Sequence, residues 1–270
     1  MDENQQLKHL LDTVLDLTGF DFRNYAYSSL HRRVTHRVLA EKLHTIEELD
    51  QKIRSDPEAL EQLLRTLTIH VTSMFRDPGF FRVLREEVVP VWQTYPFIRL
   101  WVAGCSSGEE VFSLAILLHE ADLLRRTRIY ATDVSEPMLD RAKAAVYPLS
   151  SMQDFTKAYH DAGGLSDFAD YYTADRESVI IRPFLRENIV FAAHNLVGDT
   201  SFNEFHGILC RNVMIYFNRT LQARVHRLLY ESLTNFGYLG LGKSETIRYT
   251  EQELHYEEVS ARERIYRKTR

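Results

Sequence analysis

The chain has 270 residues, 44% of them hydrophobic and 26% charged, enough to bury one large core or two modest ones. With 33 basic and 38 acidic residues its net charge is −5, which excludes a global electrostatic case for nucleic acid or an anionic membrane as partner. The two cysteines, Cys105 and Cys210, lie in apolar contexts that point to a reducing compartment and give no support to a disulfide scaffold or a zinc site. No basic-then-apolar leader opens the chain, and no apolar run approaches the roughly 20 residues of a membrane span, so a cytoplasmic location is expected.

Leu7, Leu10, Leu11, Val14 and Leu15 recur at helical spacing, and Gly19 stops that helix. A second helix is expected from about Asn24 to Leu43, with Leu30, Val34 and Val38 on its buried stripe. Thr45 to Glu48 and Ser55 to Glu58 each match a capping box, with Pro57 at a first-turn position. They open two short helices, the second carrying Leu60, Leu63, Leu64 and Leu67, and together these elements predict a small helical bundle. The second helix reads H-R-R-V-T-H-R from His31 to Arg37. Arg33 and Arg37 are four apart and share a face, either a patch for an acidic partner or an ordinary solvated surface.

Thr68 to Phe81 reads T-I-H-V-T-S-M-F-R-D-P-G-F-F. Asp77 is expected as an N-cap and Pro78 as the first helical residue. Arg76 then falls among Met74, Phe75, Phe80 and Phe81, where an unpaired charge is costly, so it needs a salt-bridge partner or a ligand. Residues 1–90 are assigned to a helical domain and linker, and residues 91–270 to an α/β domain.

That second domain is organised around Ile98 to Glu110, I-R-L-W-V-A-G-C-S-S-G-E-E. An apolar strand enters a small-residue turn containing Gly104 and Gly108, and a helix starts with Glu109 and Glu110. Strand, glycine turn and helix form the first unit of a nucleotide-binding fold, in which glycine lets a ligand approach the backbone. The turn is not G-x-G-x-x-G, and acids at the helix start repel a pyrophosphate. Both features suit a cationic ligand without phosphate, such as S-adenosylmethionine. A second strand, R-I-Y-A-T, ends in Asp133, 25 residues past Gly108, where such folds bind ribose hydroxyls.

From Tyr147 to Asn188 the α/β rhythm breaks. We expect an inserted β-subdomain (about 148–190) with a packing cluster of Phe155, Tyr159, Phe168, Tyr171 and Tyr172; the run Asn188 to Ala193 rejoins the main sheet. His194-Asn195-Leu196 follows that run, where a polar side chain would face the crevice. A strand is then predicted over His206 to Phe217, H-G-I-L-C-R-N-V-M-I-Y-F, interrupted by Arg211, Asn212 and Tyr216. A helix is expected over Leu221 to Leu233, followed by the run Tyr238-Leu239-Gly240-Leu241, and the tail (Leu254 to Val259, Ile265 to Lys268) is expected as a closing antiparallel hairpin.

With these motifs assembled, the sequence resembles CheR-type methyltransferases, which methylate chemoreceptor glutamates using S-adenosylmethionine. The resemblance spans nearly the whole length and rests on the R-R helix, T-S-M-F-R-D, A-G-C-S-S-G-E-E, Y-A-T-D, the N-L pair and C-R-N-V-M-I-Y-F, in that order. It implies a Rossmann-like methyltransferase domain with an N-terminal helical bundle. It also implies that His70, Thr72, Arg76, Gly104, Glu109, Asp133, Asn195, Leu196, Arg211 and Asn212 surround S-adenosylmethionine, with Asp133 on the ribose. Arg76 and Tyr216 would lie near the transferred methyl, and Arg33 and Arg37 would face the receptor signalling domain. His70 departs from the family's usual asparagine, which puts that contact in doubt. No metal is implied. Members that hold a receptor's C-terminal tether peptide resemble one another in a longer, glycine-containing hairpin loop; here Tyr171 to Ile181 is compact and lacks glycine, so tether binding is not expected. A monomer is expected. Two alternatives stay open: a non-catalytic regulator that binds S-adenosylmethionine or S-adenosylhomocysteine, and a methyltransferase for another substrate.

Overall fold

The computed structural model describes residues 2–67 and 72–270. The chain divides into two compact units, Met1–Ile69 with Tyr216–Arg224, and His70–Ile215 with Val225–Arg270.

The first unit holds α1 (Glu3–Thr18), α2 (Tyr27–Ala40), α3 (Ile46–Ser55) and α4 (Pro57–Leu67). Their apolar stripes meet in one core that includes Leu7, Leu10, Val14, Leu30, Val34, Leu49, Ile53 and Leu63. Asp2 caps α1 by accepting the Gln5 N–H, and Gly19, at φ 74°, closes it in the left-handed region that costs glycine least. Two helix starts and one capping-box bond differ from expectation, each because a competing hydrogen bond wins. Helix α2 starts at Tyr27 rather than Asn24, because residues 24–26 are extended against residues 216–218. There the Ala26 N–H donates to the Tyr216 carbonyl (2.7 Å) and the Asn218 N–H to that of Asn24 (2.8 Å). Thr45 caps α3 as expected, accepting the Glu48 N–H at 3.1 Å, but the Glu48 carboxylate reaches back to the N–H of His44 (2.8 Å) rather than to that of Thr45. Asp56, not Ser55, caps α4: its Oδ1 accepts from Glu58 and Ala59 (3.0 and 3.1 Å), the first two amides after Pro57, which has no N–H.

The second unit opens with α5 (Pro78–Val83), which continues through a π turn (Leu84–Val88) into α6 (Val89–Trp92). The wide turn precedes Pro90, which cannot donate back into a regular ladder. Then follow β1 (Ile98–Ala103), α7 (Glu109–Glu120), β2 (Thr127–Asp133), α8 (Glu136–Ala144), β3 (Val146–Pro148), α9 (Met152–Asp161), β4 (Tyr172–Ala174), β5 (Ser178–Ile181), β6 (Ile189–Ala193), β7 (Phe205–Cys210), α10 (Arg219–Ser232), β8 (Leu233–Leu241), β9 (Tyr256–Ser260) and β10 (Ile265–Lys268). Residues of α10 up to Arg224 group with the first unit.

The main sheet has the order β6-β2-β1-β7-β8-β10-β9. Strands β6 to β8 are parallel, and β10 runs antiparallel to both β8 and β9. The order reverses beside β1, since β2 lies on one side and β7 on the other. In doubly wound sheets that switch point opens the ligand crevice at the carboxyl ends of the strands. Helix α7 is buried along nearly its whole length, as a helix covering a parallel sheet must be.

The insertion forms a three-stranded antiparallel sheet, β3-β5-β4, beginning at Val146, and β6 returns to the main sheet beside β2. Its aromatic cluster is packing: Tyr159, Phe168 and Tyr171 are buried. The Glu120 carboxylate at the end of α7 accepts hydroxyls from Tyr159 (2.5 Å) and Tyr171 (3.0 Å) and the Leu165 N–H (2.9 Å), and pairs with Arg85 (2.6 Å). One buried anion with four donors thus fixes the insertion to the core.

His226 on α10 is 3% exposed and hydrogen-bonded to the Thr246 main chain, and burial pushes its imidazole down to about 4. The unfolded chain takes up this proton near pH 6.5, the folded chain only near pH 4. Stability from this group is therefore complete above about 6.5 and falls as pH drops toward 4, by up to about 3 kcal/mol. Thermal melts from pH 7 to 5 should show a fall in Tm that is shallower in His226→Gln.

Candidate cofactor and active site

The turn after β1 is shaped by three residues in the left-handed region, Gly104 (φ 76°), Ser106 (φ 50°) and Gly108 (φ 94°). Gly104 and Cys105 both donate to the Thr132 carbonyl at the end of β2 (2.8 and 2.9 Å). A Cβ on Gly104 would lie 2.5 Å from Val213 Cγ2, so only glycine lets the turn pack against the loop after β7. Asp133, 7% exposed, accepts the Ser106 N–H on one carboxylate oxygen (2.8 Å) and the Ser135 N–H on the other (2.9 Å). Each oxygen keeps a second lone-pair site, so the carboxylate is held still while retaining capacity for a diol.

At the first turn of α7, Glu109 is buried and accepts the Ser107 hydroxyl (2.8 Å). Burial raises its carboxyl above the usual range, against the Ser107 bond; a cationic ligand beside it would restore the anion. Ser113 donates to the Glu109 carbonyl (2.7 Å) and accepts the Phe75 N–H (2.8 Å). That relay carries residues 72–77 over the start of α7, bringing half-buried Thr72 and Arg76 to the same end of the sheet.

Arg211, from the far end of the chain, also joins the aromatic cluster around Arg76. The Arg211 guanidinium carbon lies 4.0 Å from the Phe80 ring centroid and 5.8 Å from that of Phe81. It pairs with Glu110 (2.5 Å) and Asp77 (2.9 Å) and donates to the Arg76 carbonyl (3.1 Å). Asp77 precedes α5 as expected but caps nothing with its side chain: it sits at φ 57°, and its carboxylate bridges Arg211 and Lys243 (3.2 Å). Both terminal nitrogens of Arg211 are thus engaged in bracing α5 and α7, while its buried Nε has no hydrogen-bond partner among the described residues.

Strand β7 ends at Cys210 instead of running to Phe217. Asn212 turns into the left-handed region (φ 60°), and Met214–Tyr216 forms a 3-10 turn. The cause is Glu245, which the sequence reading passed over. Buried after β8, it accepts the N–H groups of Asn212 (2.9 Å), Val213 (2.9 Å), Met214 (2.7 Å) and Gly242 (2.6 Å). Burial raises its carboxyl, and the four amide bonds oppose that rise. The one sequence signal was a carboxylate in G-K-S-E directly after an apolar strand.

After β6, the Asn195 side-chain oxygen accepts the Val197 N–H (2.9 Å) in a tight local turn, and Leu196 is buried. His194 packs edge-on to Trp101 (5.2 Å) and tilted against Phe202 (5.1 Å). His70 lies outside the described residues. Arg33, Arg37 and Tyr216 belong to the first unit. Arg33 is buried with its guanidinium 4.7 Å over the Tyr216 ring, and Arg37 pairs with Glu41. Neither arginine is the free surface cation expected from their shared face.

Within the second unit, the crest of the sheet thus gathers the glycine turn after β1, Asp133 after β2, Asn195 and Leu196 after β6, and Arg211 and Asn212 after β7. A fixed acid for a diol and acids at the helix start, where a phosphate would be repelled, fit a cationic nucleoside. The comparisons with known proteins agree. Residues 70–265 match the CheR methyltransferase SAM binding domain, and residues 5–68 match the CheR methyltransferase all-alpha domain. The chain is 43% identical to a Pseudomonas putida protein named as a methyltransferase, Cher3, over 98% of this chain and 97% of that one. It is 29% identical to a chemotaxis protein methyltransferase of Listeria monocytogenes, over 85% of each chain. It is 31% identical to chemotaxis protein methyltransferase 1 of Pseudomonas aeruginosa, over 76% and 77%. The chain belongs to the CheR methyltransferase family, and S-adenosylmethionine is its cofactor.

Proposed function

We propose that the chain transfers the methyl group of S-adenosylmethionine to glutamate carboxylates of chemoreceptor signalling domains. The observation that carries this is the crest of acids and glycines around Asp133, in a chain whose relatives are named chemotaxis methyltransferases. When bound, S-adenosylmethionine supplies a methyl already activated on a sulfonium. Asp133 holds the ribose hydroxyls, Glu109 offers its carboxylate to positive charge, and Asn195, Leu196 and the main chain of Arg211 and Asn212 complete the pocket. Thr72 and Arg76 approach over the start of α7.

The acceptor needs no general base. A glutamate carboxylate is ionised at neutral pH, its unperturbed pKa being about 4.3. What the enzyme must supply is position: a carboxylate oxygen in line with the methyl at roughly 3–3.5 Å. We assign that orientation to Arg76 and Tyr216, whose N–H and O–H groups bind a carboxylate without removing a proton. The chain lacks the Asn/Asp-Pro-Pro-Tyr/Phe sequence used by enzymes that methylate base amino groups or amides. Recognition is through the receptor signalling domain itself, since only Asp175, Arg176 and Glu177 separate β4 from β5, and Asp175 closes that turn onto Ser178 (2.8 Å).

With labelled cofactor, the label should appear on receptor signalling domains as base-labile esters, equally with or without the receptor's C-terminal tail. Base-stable label, or label on RNA or small molecules only, would contradict the proposal. Binding without any transfer would favour a regulator. Glu245→Gln replaces an acceptor oxygen with a donor against two of four buried amides, each costing about 1–3 kcal/mol. It should weaken cofactor affinity about tenfold or more in calorimetry, while the helical content measured by circular dichroism is unchanged.

A further inference from the structure

The basic helix α2 does not present its arginines alike. Arg32 and His36 are exposed, Arg37 is tied to Glu41, and Arg33 is turned inward, 6% exposed. Arg33 makes no ion pair with a carboxylate among the described residues. Instead Nη1 donates to the carbonyl of Leu67, the last residue of α4, and Nη2 donates to Ser29 Oγ (2.8 Å). The guanidinium carbon lies over the Tyr216 ring, 4.7 Å from its centroid. A helix C-terminus and an aromatic face are both partially negative, so the buried charge is met by dipoles and a quadrupole.

Tyr216 is held by its main chain as well. Its carbonyl accepts the Ala26 N–H at 2.7 Å, and the next residue, Phe217, bridges to Tyr25 with ring centroids 4.9 Å apart. Main chain on one side and a cation over the ring leave the phenol little freedom. From this we infer that Arg33 is a positioning residue for methyl transfer, acting through Tyr216 rather than by touching the receptor. The inference rests on the proposal that Tyr216 acts at the transferred methyl. It gives the R-R pair two separate tasks: Arg33 orients the tyrosine, while Arg32 alone of the two faces outward.

The test uses the full chain, receptor signalling domain as acceptor, and the variants Arg33→Met, Arg33→Lys, Arg32→Ala, Tyr216→Phe and Arg33→Met with Tyr216→Phe. Lysine keeps the charge but not the planar guanidinium. Both Arg33 variants should lower kcat about tenfold, the scale of a desolvated cation–π contact, with receptor KM and cofactor Kd within about twofold of wild type. The double variant should be no slower than Tyr216→Phe alone. A raised KM at unchanged kcat, or additive losses, would make Arg33 a receptor contact and overturn the inference. Full activity in Tyr216→Phe overturns it as well. If the Arg33 variants do not fold, NMR on wild type and Tyr216→Leu decides: the Arg33 guanidinium protons should be ring-current shifted upfield in wild type and revert in the variant. Unshifted protons in wild type would refute the stack. A wild-type chain that transfers no methyl to receptors, yet shows the shift, would refute the substrate proposal and not the stack.

Discussion

A single buried guanidinium ties the catalytic unit together. The Arg211 side chain is 1% exposed and joins residues that are far apart in sequence: Asp77 and the carbonyl of Arg76 before α5, Glu110 at the start of α7, and its own loop after β7. Loss of both carboxylates would leave a buried charge uncompensated, at a cost of about 3–5 kcal/mol. Three motifs that read as separate signals therefore occupy one network. The geometry of that network fixes how the segment before α5 lies over the first turn of α7.

Glu245 is the counterweight of opposite sign. It draws the amides of Asn212, Val213 and Met214 toward β8, while Arg211 reaches toward α5 and α7. Pulled both ways, the loop turns sharply at Asn212, and Val213 packs where only a glycine at position 104 leaves room. The crest is consequently rigid at the point where the strand order reverses. Its acids, Asp133 and Glu109, are held by short hydrogen bonds rather than free in solvent. Preorganised acids of this kind select a cationic nucleoside without needing a phosphate grip.

Much of this was legible in the residues. The leucine stripes of the first unit, the strand-glycine-helix unit at Gly104 to Glu109, the acid ending β2 and the terminal hairpin all follow from local patterns that tertiary contacts reinforce. What escaped was the direction of long side chains and the effect of distant hydrogen bonds. Arg76 and Arg211 both neighbour aromatics in some sense, but only three-dimensional packing places Arg211 on Phe80. Arg33 and Arg37 share a helix face by spacing, yet one is buried against Tyr216 and the other is tied to Glu41. The apolar run after Cys210 hid the end of β7, because Met214 and Phe217 remain buried outside a strand and the carboxylate that ends the strand lies beyond the next helix. The capping of α4 went to Asp56 over Ser55 because Pro57 shifts the first free amides by one residue.

The account depends most on the crest being a cofactor site anchored at Asp133. The direct measurement is calorimetric titration of wild type and Asp133→Asn with S-adenosylhomocysteine, with the melting curve of each recorded alongside. Micromolar binding by wild type, weakened about tenfold or more in a variant that still melts cooperatively, is the predicted result. Equal affinity in the two proteins, or no binding by folded wild type, would contradict it.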